Sequence, residues 1–251
     1  MSLFNKKKNI EFKGFETSVQ ASNFVALELL KEIKKGKPLN LGLATGSTPI
    51  GLYKELVNDF QESRTPWGNV STYNLDEYLG LPEGHPQTYK EFMKHQLFAH
   101  VEMNLDNTHF PTTEQNYDAL IESNGGIDIQ ILGIGTNGHI GFNEPGSPLN
   151  SLTRIVDLTE ETINVNAAKF FKKDISQVPK KAISMGLESI LKTKKIYLLA
   201  FGISKKEVMH KLYNAKKFDI DFPVSALLQH NDVTIIFDKA TELGEELNLD
   251  L

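Results

Sequence analysis

The chain has 251 residues, a length ordinary for one α/β domain, and it contains no cysteine. That excludes disulfides, Fe–S clusters, thiolate zinc sites and a cysteine nucleophile, and it fits a reducing compartment. The net charge of -5, with both signs interspersed, leaves no electrostatic footprint for nucleic acid. No apolar run reaches the ~18 residues of a membrane span, and no secretory h-region is visible, so the cytoplasm is the expected location.

Taken in chain order, "KKKN" (Lys6 to Asn9) reads as a solvated basic tail. "SNFVALELLKEIKKG" follows as a helix closed by Gly36. "LNLGLA" (Leu39 to Ala44) is a buried strand, and "TPIGLYKELVNDF" carries apolar residues at helical spacing. The same alternation recurs with "VSTYNL" (Val70 to Leu75) and then "TYKEFMKHQLFAHV". "IDIQILGIG" (Ile127 to Gly135) and "KKIYLLAFG" (Lys194 to Gly202) are further strands, the second leading into "SKKEVMHKLYN" with Ser204 as a helix cap. "DVTIIFD" (Asp232 to Asp238) is a last strand before "KATELGEEL". Apolar strands separated by helices predict one doubly wound, Rossmann-like α/β domain, its mostly parallel sheet covered by helices on both faces. Ligands in such sheets bind beyond the carboxyl ends of the strands, so the residues after each strand are the ones to read for chemistry.

Four strand ends stand out. In "ATGSTP", Thr45, Gly46, Ser47 and Thr48 offer hydroxyls and backbone N–H groups ahead of Pro49, which suits the first turn of a helix. This is either a phosphate site at a helix N-terminus or a tight Ser/Thr-capped turn; no lysine follows the glycine as in a Walker loop. In "NLDEYLGL", Asp76 and Glu77 are either solvated charges, a helix cap, or a carboxylate raised toward neutrality as a general base. In "FGISKKEV", Lys205 and Lys206 oppose the dipole of the helix they open unless an anion sits between.

The fourth end, "ILGIGTNGHIGFNEPGS", holds Gly133-x-Gly135-x-x-Gly138, the outline of a dinucleotide fingerprint, with Asp157 about where an acidic residue belongs. That fingerprint needs a long helix after its third glycine. Gly141, Pro145, Gly146 and Pro148 forbid one. The stretch instead predicts a catalytic loop presenting His139 and Glu144, where glycines let backbone approach a ligand. The seven histidines are scattered without ligand spacing, so no metal is expected. The residues alone therefore describe a phosphorylated small molecule handled by proton transfers, with no cofactor.

"LGLATGSTPIGLY", "NLDEYLGL…HPQTY", "LGIGTNGHIGFNEPG" and "VPKKAISMGLESIL" together resemble the glucosamine-6-phosphate deaminase family, over about Lys37 to Asp238. The resemblance implies conversion of glucosamine 6-phosphate and water to fructose 6-phosphate and ammonium. It implies that Asp76 moves the C2 proton to C1 through a cis-enediol. It further implies that His139 opens the pyranose ring, Glu144 polarises that histidine, and Asn137 assists where some members have Asp. Thr45 to Thr48 and Lys205 would hold the phosphate. A lid over about 148–180 would add Lys169 of "AAKFF", where the family has Arg; Lys keeps the charge but loses the bidentate fork. Val156 stands two positions after Arg154, where regulated hexameric members have a basic residue, so the chain resembles the short, unregulated type and is expected as a monomer or small homo-oligomer. Galactosamine-6-phosphate isomerases share "NGH" and "NEPG", and 6-phosphogluconolactonases share the fold. Sugar-phosphate-sensing repressor domains share it too, but they carry a helix-turn-helix for which the ~15 residues before the first helix leave no room.

Overall fold

A computed structural model describes residues 3–7 and 9–243, including all their side chains except those of residues 3–7, 161, 169 and 170. Two strands, β1 (Leu3–Lys7) and β2 (Ile10–Phe15), precede α1 (Ser18–Ile33). Next come β3 (Leu39–Leu43), α2 (Ile50–Ser63), β4 (Val70–Asn74), β5 (Asp76–Leu79), α3 (Tyr89–Gln96), β6 (Thr108–His109), α4 (Tyr117–Ser123) and β7 (Ile129–Gly133). The remainder is β8 (Arg154–Asp157), α5 (Glu160–Phe170), β9 (Lys181–Ser184), α6 (Leu187–Leu191), β10 (Lys195–Ala200), α7 (Lys206–Asn214) and β11 (Val233–Asp238).

The main sheet runs β1-β2-β11-β10-β7-β3-β4-β6, parallel throughout except for β1 against β2. This is the doubly wound sheet expected. Strand alternation divides two cores between its faces. Leu41, Leu43, Ile129, Ile131, Tyr197 and Leu199 meet Val25 and Leu29 of α1, Leu52 and Leu56 of α2, and Met93 of α3. Leu132, Ile196, Leu198 and Ile235 meet Leu187 and Ile190 of α6 and Val208, Met209 and Leu212 of α7. A small antiparallel sheet, β5-β9-β8, stands apart from the main one. With α5 it encloses Tyr78, Phe142, Leu158, Ala167 and Phe171.

The winding sets the site. From β3 the chain builds outward through β4 to β6, then returns to the other side of β3 with β7 and builds through β10 and β11 to β2. The reversal lies between β3 and β7, where such folds open a crevice beyond the strand ends. The four strand ends singled out in the sequence belong to β10, β7, β3 and β4, which are adjacent in the sheet.

Three local readings change. Lys6 and Lys7 lie in β1, paired with Glu11 and Ile10, not in a tail. Ser204 does not cap a helix: a 3-10 turn over Ile203–Lys205 carries the chain into α7, whose N-cap is Lys205 without a side-chain cap bond. Pro49 stands one residue before α2. Gly36 closes α1 with φ +69° and its N–H on the Ile33 carbonyl, as expected. The part of "KATELGEEL" from Gly244 onward lies outside the described residues.

Candidate active site

The strand ends line one cleft of about 460 Å³. Its phosphate-suited end is formed by Thr45, Gly46, Ser47 and Thr48 after β3, facing Ser204 and Lys205 before α7. Gly46 takes φ +91°, a left-handed turn that frees its backbone toward the cleft. The adjacent lysines part company: Lys205 lines the cleft, while Lys206 pairs with Glu242. Lys169 belongs to the last turn of α5, but its side chain lies outside the described residues.

The acidic pair after β4 also divides. The Glu77 carboxylate accepts from the backbone N–H groups of Tyr78, Tyr89 and Lys90 at 2.8, 2.9 and 3.0 Å. Two of these open α3, so Glu77 caps that helix. Burial raises its pKa, against the pull of those N–H bonds. Asp76 is 6 % exposed, held in register opposite Ser184 of β9. Among the described residues nothing donates to its carboxylate, and burial, followed by the charge of Glu77, pushes its pKa up to about 8.

The glycine-rich stretch forms a loop, as expected. Each glycine in Gly135-x-x-Gly138 has a local cause. A Cβ on Gly135 would fall 2.2 Å from the His139 ring, so the imidazole lies on bare backbone there. Gly138 adopts φ +88°, and a Cβ would strike the Phe222 ring at 2.4 Å. Gly141, at φ +57°, brings the loop beside Ser184 and Asp76.

Within this loop the Asn137 amide is oriented by what surrounds it. Its Nδ2 donates to Glu144 Oε2 at 2.8 Å, which turns its Oδ1 toward His139. Oδ1 lies 2.8 Å from His139 Nδ1 and also accepts from the His139 backbone N–H. An amide oxygen only accepts, so Nδ1 carries the hydrogen and the neutral ring is left with its lone pair on Nε2. Glu144 Oε2 is 3.5 Å from Nδ1, close enough to act on the ring through charge. Burial alone would raise Glu144; hydrogen bonding and charge from His139, with hydrogen bonds from Thr162 and Asn137, outweigh it and bring the carboxyl to about 2. The set has a carboxylate that stays charged and a histidine held in one tautomer.

Sequence reasoning passed over the residues that hold this loop. Asn143 donates to the Ile140 and Met185 carbonyls and accepts from Arg154, stitching the loop to β8 and β9. The Ser184 hydroxyl accepts from the Phe142 N–H at 3.1 Å. Tyr89 and Phe142, stacked at 6.1 Å, line the cleft next to Asp76. On α5, Thr162 donates to Glu144 Oε1, and Asn166 Nδ2 donates to the Tyr78 hydroxyl at 2.7 Å. Among the described residues no group of His, Asp and Glu is disposed to hold a metal, and no helix is long and apolar enough to cross a membrane.

Residues 15–236 match the family model described as glucosamine-6-phosphate isomerases/6-phosphogluconolactonase. A glucosamine-6-phosphate deaminase of Malacoplasma penetrans is 45% identical over 239 residues, covering 91% of this chain and 98% of the relative. Glucosamine-6-phosphate deaminase 2 of Bacillus subtilis is 47% identical over 217 residues, covering 83% and 86%. Among solved structures, a monomeric glucosamine-6-phosphate deaminase superposes with a TM-score of 0.86 at 39% identity, over 92% of this chain and 98% of that one. A 6-phosphogluconolactonase from Thermotoga maritima superposes with a TM-score of 0.69 at 18% identity over 90% of this chain and 98% of its own, a likeness of fold.

Proposed function

The chain belongs to the family of glucosamine-6-phosphate isomerases and 6-phosphogluconolactonases, and from that premise we propose that it converts glucosamine 6-phosphate and water to fructose 6-phosphate and ammonium. The observation that carries this reading is the pairing, in one cleft, of a raised carboxyl, Asp76, with His139 and Asn137, which are backed by Glu144. The relatives' activity and the similarity to a monomeric deaminase support it.

In this mechanism the phosphate is held by the Thr45–Thr48 loop and Lys205, and a lid over about 148–180 adds Lys169 as a further cation. His139 Nε2 takes the C1 hydroxyl proton and returns a proton to the ring oxygen, opening the pyranose to the aldehyde. Glu144 stabilises the imidazolium formed in between, and Asn137 fixes the tautomer. Ionised Asp76 then removes the C2 proton and delivers it to C1. Because C2 carries nitrogen, the intermediate between these transfers is an enolamine. The product imine takes up water at C2 and expels ammonia. A carboxylate that receives no hydrogen bond from the described residues is a stronger base than one in water, which suits proton abstraction from carbon. Each of these steps is a proton transfer, an addition of water or a loss of ammonia, so no cofactor is invoked. The partner is a small phosphorylated amino sugar, and the working unit is a monomer or small homo-oligomer in the cytoplasm.

The test is purified protein on glucosamine 6-phosphate and galactosamine 6-phosphate, with released ammonia measured enzymatically. Ammonia from the former establishes the reading; a clear preference for the latter reassigns the sugar, and lactone hydrolysis without ammonia overturns it. Lys205→Ala should weaken substrate and inorganic phosphate together, by about 1.5–3 kcal/mol for a charge-assisted contact. Unchanged phosphate affinity would move the anion site wholly onto Thr45–Thr48.

A further inference from the structure

Glu144 has two oxygens to satisfy, and they are served from different parts of the chain. Oε2 receives Asn137 Nδ2 from the same loop. Oε1 receives the hydroxyl of Thr162, eighteen residues away on α5. That hydroxyl is itself directed. Thr159 caps α5, accepting the Thr162 N–H on its Oγ1 at 3.2 Å, and donates its own hydrogen to Thr162 Oγ1 at 3.0 Å. The remaining Thr162 hydrogen therefore points at Glu144, in a chain of hydrogen bonds that polarise one another.

The same face of α5 makes a second polar contact. Asn166, four residues on from Thr162 and so one turn along the helix, donates to the hydroxyl of Tyr78, two residues along β5 from Asp76. Val165 and Thr162 both line the cleft. Helix α5 is thus docked at one point on the histidine set and at another beside the carboxylate that works on carbon.

We propose that Thr162 is a positioning residue for ring opening, holding Glu144 charged and aligned beneath His139 so that the histidine set is complete only while α5 is seated. This rests on the function proposed above. A donor on each side, the Asn137 amide at Oε2 and the Thr162 hydroxyl at Oε1, fixes the plane of the carboxylate. Without Thr162, Oε1 loses its donor in a buried site, which frees the carboxylate to turn and shifts it toward the protonated acid, against the remaining pull of His139 and Asn137. The helix that covers the sugar is thereby also the helix that charges the base.

Thr162→Val keeps shape and β-branching and removes the hydroxyl. Turnover of cyclic substrate should fall about ten- to hundredfold, the order expected when a catalytic group is misplaced, with KM little changed. The Glu144 carboxyl, followed by carbon-13 NMR, should titrate at a higher pH than in the parent. Thr162→Ser should recover most of both. A merely structural threonine would change the melting temperature without moving the Glu144 titration. If the valine variant does not fold, Thr162→Ala carries the same comparison. Parent-like turnover and titration in the hydroxyl-free variant overturn the proposal. If the parent enzyme releases no ammonia, the functional reading fails, while the Glu144 titration still decides whether Thr162 holds that carboxylate.

Discussion

Asp76 lines the cleft and Glu144 stands behind His139, which lines it too; they are 6 % and 9 % exposed, and burial is the largest influence on each. They nonetheless end on opposite sides of neutrality, at about 8 and about 2. What separates them is the supply of donors. Glu144 is met by Asn137, Thr162 and His139, whereas Asp76 meets backbone, aromatic rings and a repelling neighbour in Glu77. Glu77 shows that neutral donors alone do not suffice: three N–H groups answer its carboxylate and burial still raises it, whereas Glu144 has the charge of His139 besides its donors. Depth alone does not assign roles to acids in a site; the donors and charges around each one do, and pushing two pKa values apart gives one fold both a proton carrier and a fixed charge.

The largest way to break this comparison is Asp76→Asn. It should cost turnover ~10²–10⁴-fold, as removal of a general base does, while substrate still binds and deuterium exchange at C2 stops. Continued exchange would remove Asp76 from the mechanism. Glu144→Gln should come next, at about 10–100-fold. Its loss should be concentrated on the cyclic sugar and much smaller on an open-chain analogue, since only the former needs His139. Equal losses on both would assign Glu144 to a later step.

Stability should sharpen the contrast through its sign. Asp76 ionises near 3.8 in the unfolded chain and about 8 in the folded one. The native state therefore holds an extra proton between those values and loses stability as pH rises through them. Asp76→Asn should raise the melting temperature above pH 8, by an amount equivalent to about a few kcal/mol, with the gain fading toward pH 4. Glu144 runs the other way: its contribution is present above 4.5 and is lost as pH falls toward 2. Glu144→Gln should therefore be the less stable protein at neutral pH, with the deficit narrowing between pH 4.5 and 2. Urea melts across pH read both. Parallel curves for the two variants would contradict the donor argument.

The main sheet was legible because its central strands are apolar runs buried on both faces, and their ends carry the chemistry. The small sheet was not. Strands β5, β8 and β9 have four residues each and are paired across long stretches of chain, so no local period marks them. Strand β2 was missed too, since its pattern mixes Glu11 and Lys13 with apolar residues, although parallel pairing to β11 buries it. Asp76, His139 and Glu144 could be picked out because each follows a strand. Thr162 could not: it reaches Glu144 from a helix whose docking depends on the small sheet, and a threonine in a helix announces nothing. Ser204 misled for a similar reason, since capping residues are read from type, while the 3-10 turn that places it in the cleft is set by the approach of β10 to α7.

The rims of the two sheets carry a further consequence. Beyond β2 lies the antiparallel β1, whose five residues include Lys6 and Lys7; at the far side β6 is two residues long; and of the two outer strands of the small sheet, β5 has four residues and begins with Asp76 and Glu77, while β8 begins with Arg154 and ends with Asp157, itself paired with Lys181 at 2.8 Å. Shortness and charge, lysine above all, are the means by which sheet borders discourage another chain from adding a strand. A parallel sheet assembles from distant segments and is slow to complete, so its unfinished borders are the places where a crowded folding mixture would go astray. Among the described residues these borders are short or carry charged residues, which disfavours the addition of a neighbouring strand.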